Sequence, residues 1–469
     1  MRADHHGMVG GATGARDAAA ASDPGPGDHG RPGQPGHRDA RARLVTATAI
    51  AAAVAGLALF VVPLRGVHLN AMNGLGLFSV LPVASLAGLI LLVLAFAAML
   101  GRRRPSPAVL GLLLVAIIFC LDGVTALVEP LPRFATTYQA YGFVNYVRNT
   151  GSVAPGITAY FSWPGFFALV SLASRAAGVR SLVPLLAWWP FIIDTLTVLP
   201  FLLLTRALAI TWRARWLAAL LLCAGNWVGQ DYFAPQSLNY LLYLSFLAIT
   251  LTWFSGPVRS RPGARRIPGE RPASPAGPPQ RAILLLLLVG IFAASVVSHQ
   301  LTPFLIIAAS AALVIVGRSS PRGLPVLLAV IAIGWVSYAT VGYWTGHLTS
   351  IFGQIGHLGG TLSSSVGSRL VGTRVHQIPV YGRVLIAGAI MALAAAGVLR
   401  RWHRKVTDRA LVILVIAPIS VAAVQNYGGE VSLRIYLFAL PAAAILAACL
   451  FFPQTGDEPD QRPAAAAPA

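Results

Sequence analysis

The sequence predicts an all-α polytopic membrane protein with about twelve transmembrane helices. Of its 469 residues, 56% are hydrophobic and only 11% are charged, whereas a soluble globular domain carries roughly 25% charged residues. Twelve apolar runs approach the length of about 20 residues that a helix needs to cross a bilayer. We therefore expect one membrane domain, residues 44–452, between disordered tails at 1–43 and 453–469, which are rich in Gly, Ala, Pro and charged residues.

The twelve apolar runs define the predicted spans. Helices are expected because the bilayer core holds no water to satisfy unpaired backbone groups. The runs cover residues 44–64, 74–100, 108–128, 182–205, 215–230, 237–255, 282–298, 301–317, 324–344, 383–399, 410–425 and 434–452.

The distribution of positive charge predicts the orientation. With the N-terminus inside, the five inside loops hold about twice as many Lys and Arg residues as all outer segments together, as the positive-inside rule requires. Both tails are then cytoplasmic, and residues 256–281 form a basic cytoplasmic loop. We expect a multi-pass protein of a bacterial plasma membrane. The net charge of +20 is explained by contact with anionic lipid, and no nucleic-acid partner is expected.

Two predicted outer segments are long. In residues 129–181, apolar side chains recur at a spacing of three and four, and a second amphipathic stretch follows Trp163-Pro164. These pieces are too short or too polar to cross a bilayer, so we expect juxtamembrane helices lying flat on the outer leaflet. The second segment, residues 345–382, is rich in Gly, Ser and His and is expected to form a lid.

Acidic residues are rare in the predicted membrane domain. Of 15 Asp and Glu residues, all but five lie in the tails or in basic loops. A carboxylate at membrane depth is costly unless it has a partner or lines a wet cavity, so each of the five is a candidate functional residue. They are Asp122, Glu129, Asp194, Asp231 and Glu430.

Four of these five acids are expected at the outer ends of helices, together with other polar groups. Arg133 follows the third span, and polar clusters occupy residues 230–236, 298–303 and 426–434. Carboxylates and amides bind hydroxyl groups, whereas arginine binds phosphate. The combination favours a substrate that carries both.

The first outer segment contains Tyr-Phe-Ser-Trp-Pro-Gly-Phe-Phe at 160–167 and Ala-Gly-Val-Arg at 177–180, directly before a span. With these motifs it resembles the first outer segment of GT-C fold glycosyltransferases, which transfer sugars from polyprenyl-phosphate donors. The blocks at 230–236, 298–303 and 430–441 are similar to those of actinobacterial membrane proteins often labelled glycosyltransferases. The resemblance covers about residues 108–452.

The resemblance implies transfer of a sugar from a polyprenyl-phosphate donor to a glycan or lipid acceptor at the extracytoplasmic face. A carboxylate of the first outer loop would act as general base, a position that Glu129 matches best, with Asp122 as its rival. No adjacent acidic pair or Asp-x-Asp occurs near that position, so no metal or other cofactor is expected. The candidate substrate-binding residues are Arg133, Trp163, Asp231, Gln236, His299, Gln300, Glu430 and Arg434.

Other interpretations of these residues stay open. Glu129 and Asp231 are also suited to capping or turn roles, and Glu430 stands at the i, i+4 spacing of a local ion pair with Arg434. Asp194 lies near the middle of its span, where a structural partner is the first expectation. A buried acid at that depth also suits a transporter or flippase for a lipid-linked or polar solute.

Overall fold

The computed structural model describes residues 35–102, 105–256, 266–344, 373–422 and 431–456. The chain divides into two units, residues 1–45 and 46–469, and the first helix begins in the former. Described secondary structure is helical except for β1 (Ile267–Pro268) and β2 (Val406–Thr407), which pair in parallel. Short 3-10 helices cover Val62–Gly66, Leu69–Ala71, Leu77–Ser79 and Ala159–Ser162.

The helices are numbered in chain order. They are α1 (Pro35–Val61), α2 (Val83–Leu100), α3 (Pro107–Asp122), α4 (Val124–Val128), α5 (Ala135–Thr150), α6 (Gly165–Ala176), α7 (Val183–Arg206), α8 (Trp212–Gly225), α9 (Pro235–Trp253), α10 (Pro278–Ser298), α11 (Thr302–Ile315), α12 (Leu324–Ala339), α13 (Val341–Trp344), α14 (Arg374–His403), α15 (Arg409–Ile416), α16 (Ile419–Ala422) and α17 (Val431–Phe451).

Helical membrane character is confirmed. Six described helices, α1, α2, α7, α10, α14 and α17, are long and apolar enough to cross a membrane. Each of the twelve predicted runs contains a helix, but several of these helices are shorter than their run. The apolar helices α3, α11 and α12 have only 14 to 16 residues, which at 1.5 Å per residue is less than the thickness of the hydrocarbon layer.

Helix α17 is the most buried of the six and packs against α8, α14 and α15. Pro441 lies inside it and cannot donate a hydrogen bond to the carbonyl of Leu437. The Tyr240 hydroxyl of α9 donates to that carbonyl at 3.3 Å, and the Tyr243 hydroxyl donates to the carbonyl of Phe438 at 3.4 Å. Tyr240 therefore satisfies the carbonyl that the proline leaves without a helical donor, and Tyr243 binds the next carbonyl.

Helices α5 and α6 form a layer beside the spans. Phe166 and Phe167 of α6 are buried against Val144 of α5, and Phe233 belongs to the same apolar cluster. The two amphipathic helices were predicted where the structure has them. Their position on a membrane surface stays a prediction.

Buried charges join the ends of α7, α11, α14 and α17 that lie away from this layer. Arg401, at the end of α14, is fully buried and forms a bidentate ion pair with Asp408 at 2.8 and 2.9 Å. Its remaining N–H groups donate to the carbonyls of Ala209, Pro453 and Gln454. All five guanidinium donors are thus satisfied.

A second buried ion pair lies beside the first. One carboxylate oxygen of Glu270 accepts from the Ala410 N–H at 2.7 Å, and the other lies 3.2 Å from Arg318. Burial raises the pKa of Glu270 above its ordinary value, against the opposing effects of the Ala410 hydrogen bond and Arg318. We call Glu270, Arg318, Arg401 and Asp408, together with the β1–β2 pair, the ion-pair latch.

The latch corrects the prediction that residues 256–281 are only a basic loop. Residues 257–265 lie outside the described part, but Glu270 is buried and β1 pairs with β2. A lone acid among arginines suggests a solvated segment in a sequence. Here Arg318, from another connection, neutralises Glu270, so the segment packs instead.

Several predicted boundaries were also wrong. Helix α1 begins at Pro35, within the predicted tail 1–43, because Arg and Ala support helix there, although the apolar span in it begins at Leu44 as predicted. Residues 74–82 form turns rather than a span, with Gly76 at a φ of 65° and Pro82 before α2. The start of the tail at 453–469 is fixed by the carbonyls that bind Arg401. Of the predicted outer loop 345–382, residues 345–372 lie outside the described part, whereas 374–382 are helical.

Candidate functional site

A cavity of about 270 Å³ opens where the short helices end. Its walls come from the end of α3, from α4, from the start of α5, from α7, from the α8–α9 connection and from α14. The polar residues among its lining are Asp122, Thr125, Arg133, Thr137, Asn226, Asp231, Tyr232 and Arg383. The cavity therefore combines carboxylates, an amide, hydroxyl groups and two guanidinium groups.

Helix breaks place the acids at this cavity. Asp122 is the last residue of α3, and Gly123 separates it from α4. A Cβ atom on Gly123 would lie 2.7 Å from the Phe119 carbonyl oxygen and 3.3 Å from the Trp188 ring. Glycine therefore allows the chain to turn close to α7 directly after Asp122.

The α8–α9 connection supplies the second acid. Helix α8 ends at Gly225 after 14 residues, and the chain continues without helix to Pro235. Gly229 adopts a φ of 70°, a conformation that favours glycine. Irregular backbone of this kind is tolerated at membrane depth only where it is covered by protein or lines a cavity, and the connection, with Asp231 in it, does line the cavity.

Asp194, near the middle of α7, joins the other two acids. One carboxylate oxygen from each of Asp122, Asp194 and Asp231 lies within 4.8 Å of the others. The Asn226 side-chain amide donates to Asp194 at 3.1 Å. The sequence indicated a structural partner for Asp194, and Asn226 is one. The meeting of the three acids was not foreseen.

Three carboxylates this close repel one another unless a proton or a cation neutralises part of their charge. Oxygen ligands at such spacing suit a hard divalent ion such as Mg²⁺ or Mn²⁺. The side chains of this acidic triad, Asp122, Asp194 and Asp231, are therefore the residues able to hold a metal in the described part of the chain. That no metal takes part stays a prediction.

A smaller void lies behind the cavity. Its volume is about 10 Å³, close to the space of a single water molecule. Asp194, Gln230 and Ser237 line it, and Asn226 and Asp231 line both spaces. The triad thus extends from the cavity to a second, smaller space between α7, α9 and α17.

Positive charge lies in the same cavity. Arg133 comes from the connection before α5 and Arg383 from α14. Arg133 lies over the ring of Phe134, which in turn packs against Tyr232 with 5.1 Å between ring centroids. Burial raises the pKa of Asp231, while a backbone hydrogen bond and the charge of Arg133 act in the opposite direction.

Glu129 lies beside the cavity lining rather than in it. It follows α4 and is half-buried. Burial raises the pKa of its carboxyl group, and the charge of nearby Arg133 partly offsets the rise. The charge of Arg133 therefore acts on both Glu129 and Asp231. Of the two candidate bases, Asp122 lines the cavity and Glu129 does not.

His299 is buried and caps α11. Its Nδ1 accepts hydrogen bonds from the backbone N–H groups of Leu301 and Thr302 at 3.3 and 3.2 Å, and lies 3.0 Å from the Thr302 hydroxyl. Burial, assisted by the charge of Arg434, lowers the pKa of His299 to about 3. A neutral imidazole engaged with the backbone is a structural element of this connection, and His299 does not line the cavity.

The remaining candidates lie outside the cavity lining. The Gln236 side-chain amide donates hydrogen bonds to the side chains of Tyr232 and Gln230 and so stabilises the α8–α9 connection. Arg434 is buried in α17, Trp163 precedes α6, and Gln300 lies in the connection between α10 and α11. Glu430 lies outside the described residues.

Sequence reasoning thus placed three residues of the cavity wall, Asp122, Arg133 and Asp231, and missed Asn226 and Arg383. Both missed residues had a usable signal. Asn226 directly follows the short α8, and Arg383 is a charge at the start of an apolar run.

Comparison of the chain with protein-family models, with curated proteins and with solved structures found no match.

Proposed function

We propose that the protein is a membrane glycosyltransferase that moves a sugar from a polyprenyl-phosphate donor to an envelope acceptor at the extracytoplasmic face. The observation that supports this proposal is the meeting of Asp122 and Asp231 with Arg133 and Arg383 in one cavity. Sugar phosphates present hydroxyl groups and an anion, and these side chains complement both.

In the proposed reaction an acceptor hydroxyl oxygen attacks the anomeric carbon, and the bond from that carbon to the donor phosphate breaks. A carboxylate removes the hydroxyl proton, and the polyprenyl phosphate leaves. Asp122 is favoured as this base over Glu129, because Asp122 lines the cavity. Arg133 and Arg383 would stabilise the charge that develops on the leaving phosphate.

The proposal retains the wider topology suggested by the sequence. It includes twelve crossings, both termini in the cytoplasm, α5 and α6 at the outer surface of a bacterial plasma membrane, and donor entry from the bilayer. The short helices α3, α8 and α11 support crossings that are completed by non-helical segments.

A second candidate function is transport of a lipid-linked or polar solute. It is favoured by the position of Asp194 near the middle of a 24-residue span and by discontinuous helices around it, both of which occur in transporters. Alternating access would require the end opposite the cavity to open. The ion-pair latch holds that end with two buried ion pairs, and this favours transfer over transport.

The transfer proposal is tested with membranes containing the protein and a panel of radiolabelled polyprenyl-phosphate sugars. We expect Asp122→Asn to lower sugar transfer by roughly 10² to 10⁴, the usual contribution of a general base. Glu129→Gln serves as the comparison for the rival base and Asp39→Asn as the matched control. Wild-type transfer in Asp122→Asn, Glu129→Gln and Asp231→Asn would refute the proposal.

Transport is tested by locking the opposite end. Ile267 and Val406 are paired in β1 and β2, so cysteines at both positions are placed to form a disulfide. An oxidised I267C/V406C variant that still transfers sugar supports a one-sided enzyme. Uptake of a solute that is abolished by oxidation and restored by reduction would favour the transporter.

A further inference from the structure

Three arginines come together at the ends of α5 and α6. The Arg148 side chain donates to the carbonyls of Val179 and Arg180 at 3.4 and 3.3 Å. The Arg175 side chain donates to the carbonyl of Arg148 at 3.4 Å. Arg175 and Arg180 are exposed and Arg148 is half-buried. These contacts hold the Arg148 and Arg175 guanidinium groups against the backbone of residues 148 and 179–180, and the exposed Arg180 adds a third positive charge to the same segment.

Nothing in the described part of the chain neutralises this charge. Residues 130–193 contain no Asp or Glu, and no carboxylate forms an ion pair with the three arginines among the described residues. Their hydrogen-bond partners are backbone carbonyls, which carry no net charge. A position in the last helical turn accounts for Arg148 and Arg175 singly, but Arg180 lies beyond α6.

An exposed apolar face adjoins the arginines. Phe166 and Phe167 fix the inner side of α6 to the protein, whereas Leu169 and Leu172 are 55% and 69% exposed. Leu169, Leu172 and Arg175 follow one another at intervals of three residues, so they share one side of the helix. That side carries leucines and ends in positive charge, which is the pattern of a helix lying at a lipid interface.

The surface is separate from the cavity. In α5, Thr137 lines the cavity and Arg148 lies 11 residues further along the helix. At 1.5 Å per residue this is a distance of about 16 Å. The connections at the latch end are the basic ones, and anionic lipid is expected there for any membrane protein. An arginine cluster at the cavity end needs a partner of its own.

We propose that Arg148, Arg175 and Arg180 bind the phosphate headgroup of an anionic phospholipid, with Leu169 and Leu172 among its acyl chains. Arginine forms paired hydrogen bonds with phosphate oxygens, and each basic residue near an anionic membrane surface strengthens association. Such contact would hold α5 and α6 against the bilayer and fix the height of the cavity entrance above it. This proposal does not depend on what the cavity does.

The test uses the full-length protein in phosphatidylcholine vesicles that contain a trace of photoreactive phosphatidylglycerol. After illumination, cross-linked peptides from residues 145–182 are quantified by mass spectrometry. We expect R148Q/R175Q/R180Q to lower cross-linking there by at least about tenfold. Cross-links at the latch end provide the internal reference and should stay unchanged.

A charge-preserving variant separates charge from local structure. R148K/R175K/R180K loses the same carbonyl contacts but keeps three positive charges, so it should retain most of the cross-linking. Equal loss in the Gln and Lys variants would show that local folding, not charge, is responsible and would overturn the proposal. Equal labelling by photoreactive phosphatidylcholine would exclude selective binding of an anionic phospholipid and overturn it as well.

Discussion

Breaking the ion-pair latch should destabilise the protein strongly. Arg401 is fully buried, and Asp408 is only 6% exposed. Loss of one partner from a buried ion pair costs about 3–5 kcal/mol, because the remaining charge is left without compensation. Arg401 also serves three carbonyls, so for Arg401→Met we expect the upper end of that range, about 5 kcal/mol.

The cysteines of the chain provide the assay. Cys120 and Cys449 are free and buried, so a thiol-reactive dye reports their exposure as the purified protein is heated. We expect Arg401→Met to lower Tm by roughly 5 to 10 °C. The matched control is Arg404→Met, at an exposed arginine one turn further along, which should change the free energy of unfolding by no more than about 0.5 kcal/mol.

A double variant tests the reason for the loss. In Arg401→Met/Asp408→Asn the stranded carboxylate becomes a neutral amide, so we expect recovery of about 2 kcal/mol relative to Arg401→Met alone. No recovery would mean that the carbonyl contacts, not the buried charge, account for the loss. Equal Tm values for Arg401→Met and Arg404→Met would refute the reasoning entirely.

Three further predictions concern single side chains. In chelator-containing buffer Asp194→Asn should raise Tm, because it relieves repulsion in the triad and its amide oxygen still accepts from Asn226; a lower Tm would contradict this. The pKa of His299 is depressed, so the unfolded chain takes up a proton below about pH 6.5 and the folded chain only near pH 3. The free energy of unfolding should therefore fall as the pH drops through that window. This loss should be absent from His299→Asn, in which the amide oxygen replaces Nδ1 as acceptor. The raised pKa of Glu270 has the opposite effect on the pH dependence of stability. The contribution of Glu270 is present below about pH 4.5 and is lost as the pH rises. Glu270→Gln should flatten that part of a pH titration of Tm.

The helices were predictable because their signal is local. A run of about 20 apolar residues favours a membrane helix whatever surrounds it. The ends of α3 and α8 were not predictable, because they depend on residues of other helices. The turn at Gly123 lies close to Trp188 of α7, and a Cβ atom on Gly225 would lie 2.6 Å from Ile390 of α14. Such contacts join residues that the sequence does not pair.

The polar groups show the same division. Asp122 and Arg133 stand at the end of an apolar run, so their place at a helix end was visible from the sequence. The depth and rotation of α7 relative to α3 decide whether Asp194 reaches Asp122, and neither is encoded in one segment. The sequence indicated that Asp408 and Glu270 are exposed to solvent, because a basic loop is normally exposed. In the structure each forms an ion pair with a buried arginine.

Helix α14 connects the two parts of the protein that bear on function. It carries Arg383 at the cavity and Arg401 in the latch, 18 residues or about 27 Å apart along the axis. Between them, a Cβ atom on Gly397 would overlap the backbone carbonyl of Leu446 in α17, so the two helices are in direct backbone contact there. Buried charge at one end of the helix and close packing at Gly397 restrict the movement of the backbone that carries Arg383. An enzyme benefits from such a fixed phosphate-binding group, because a preorganised charge needs no rearrangement during the reaction, whereas a transporter would have to break both contacts in every cycle.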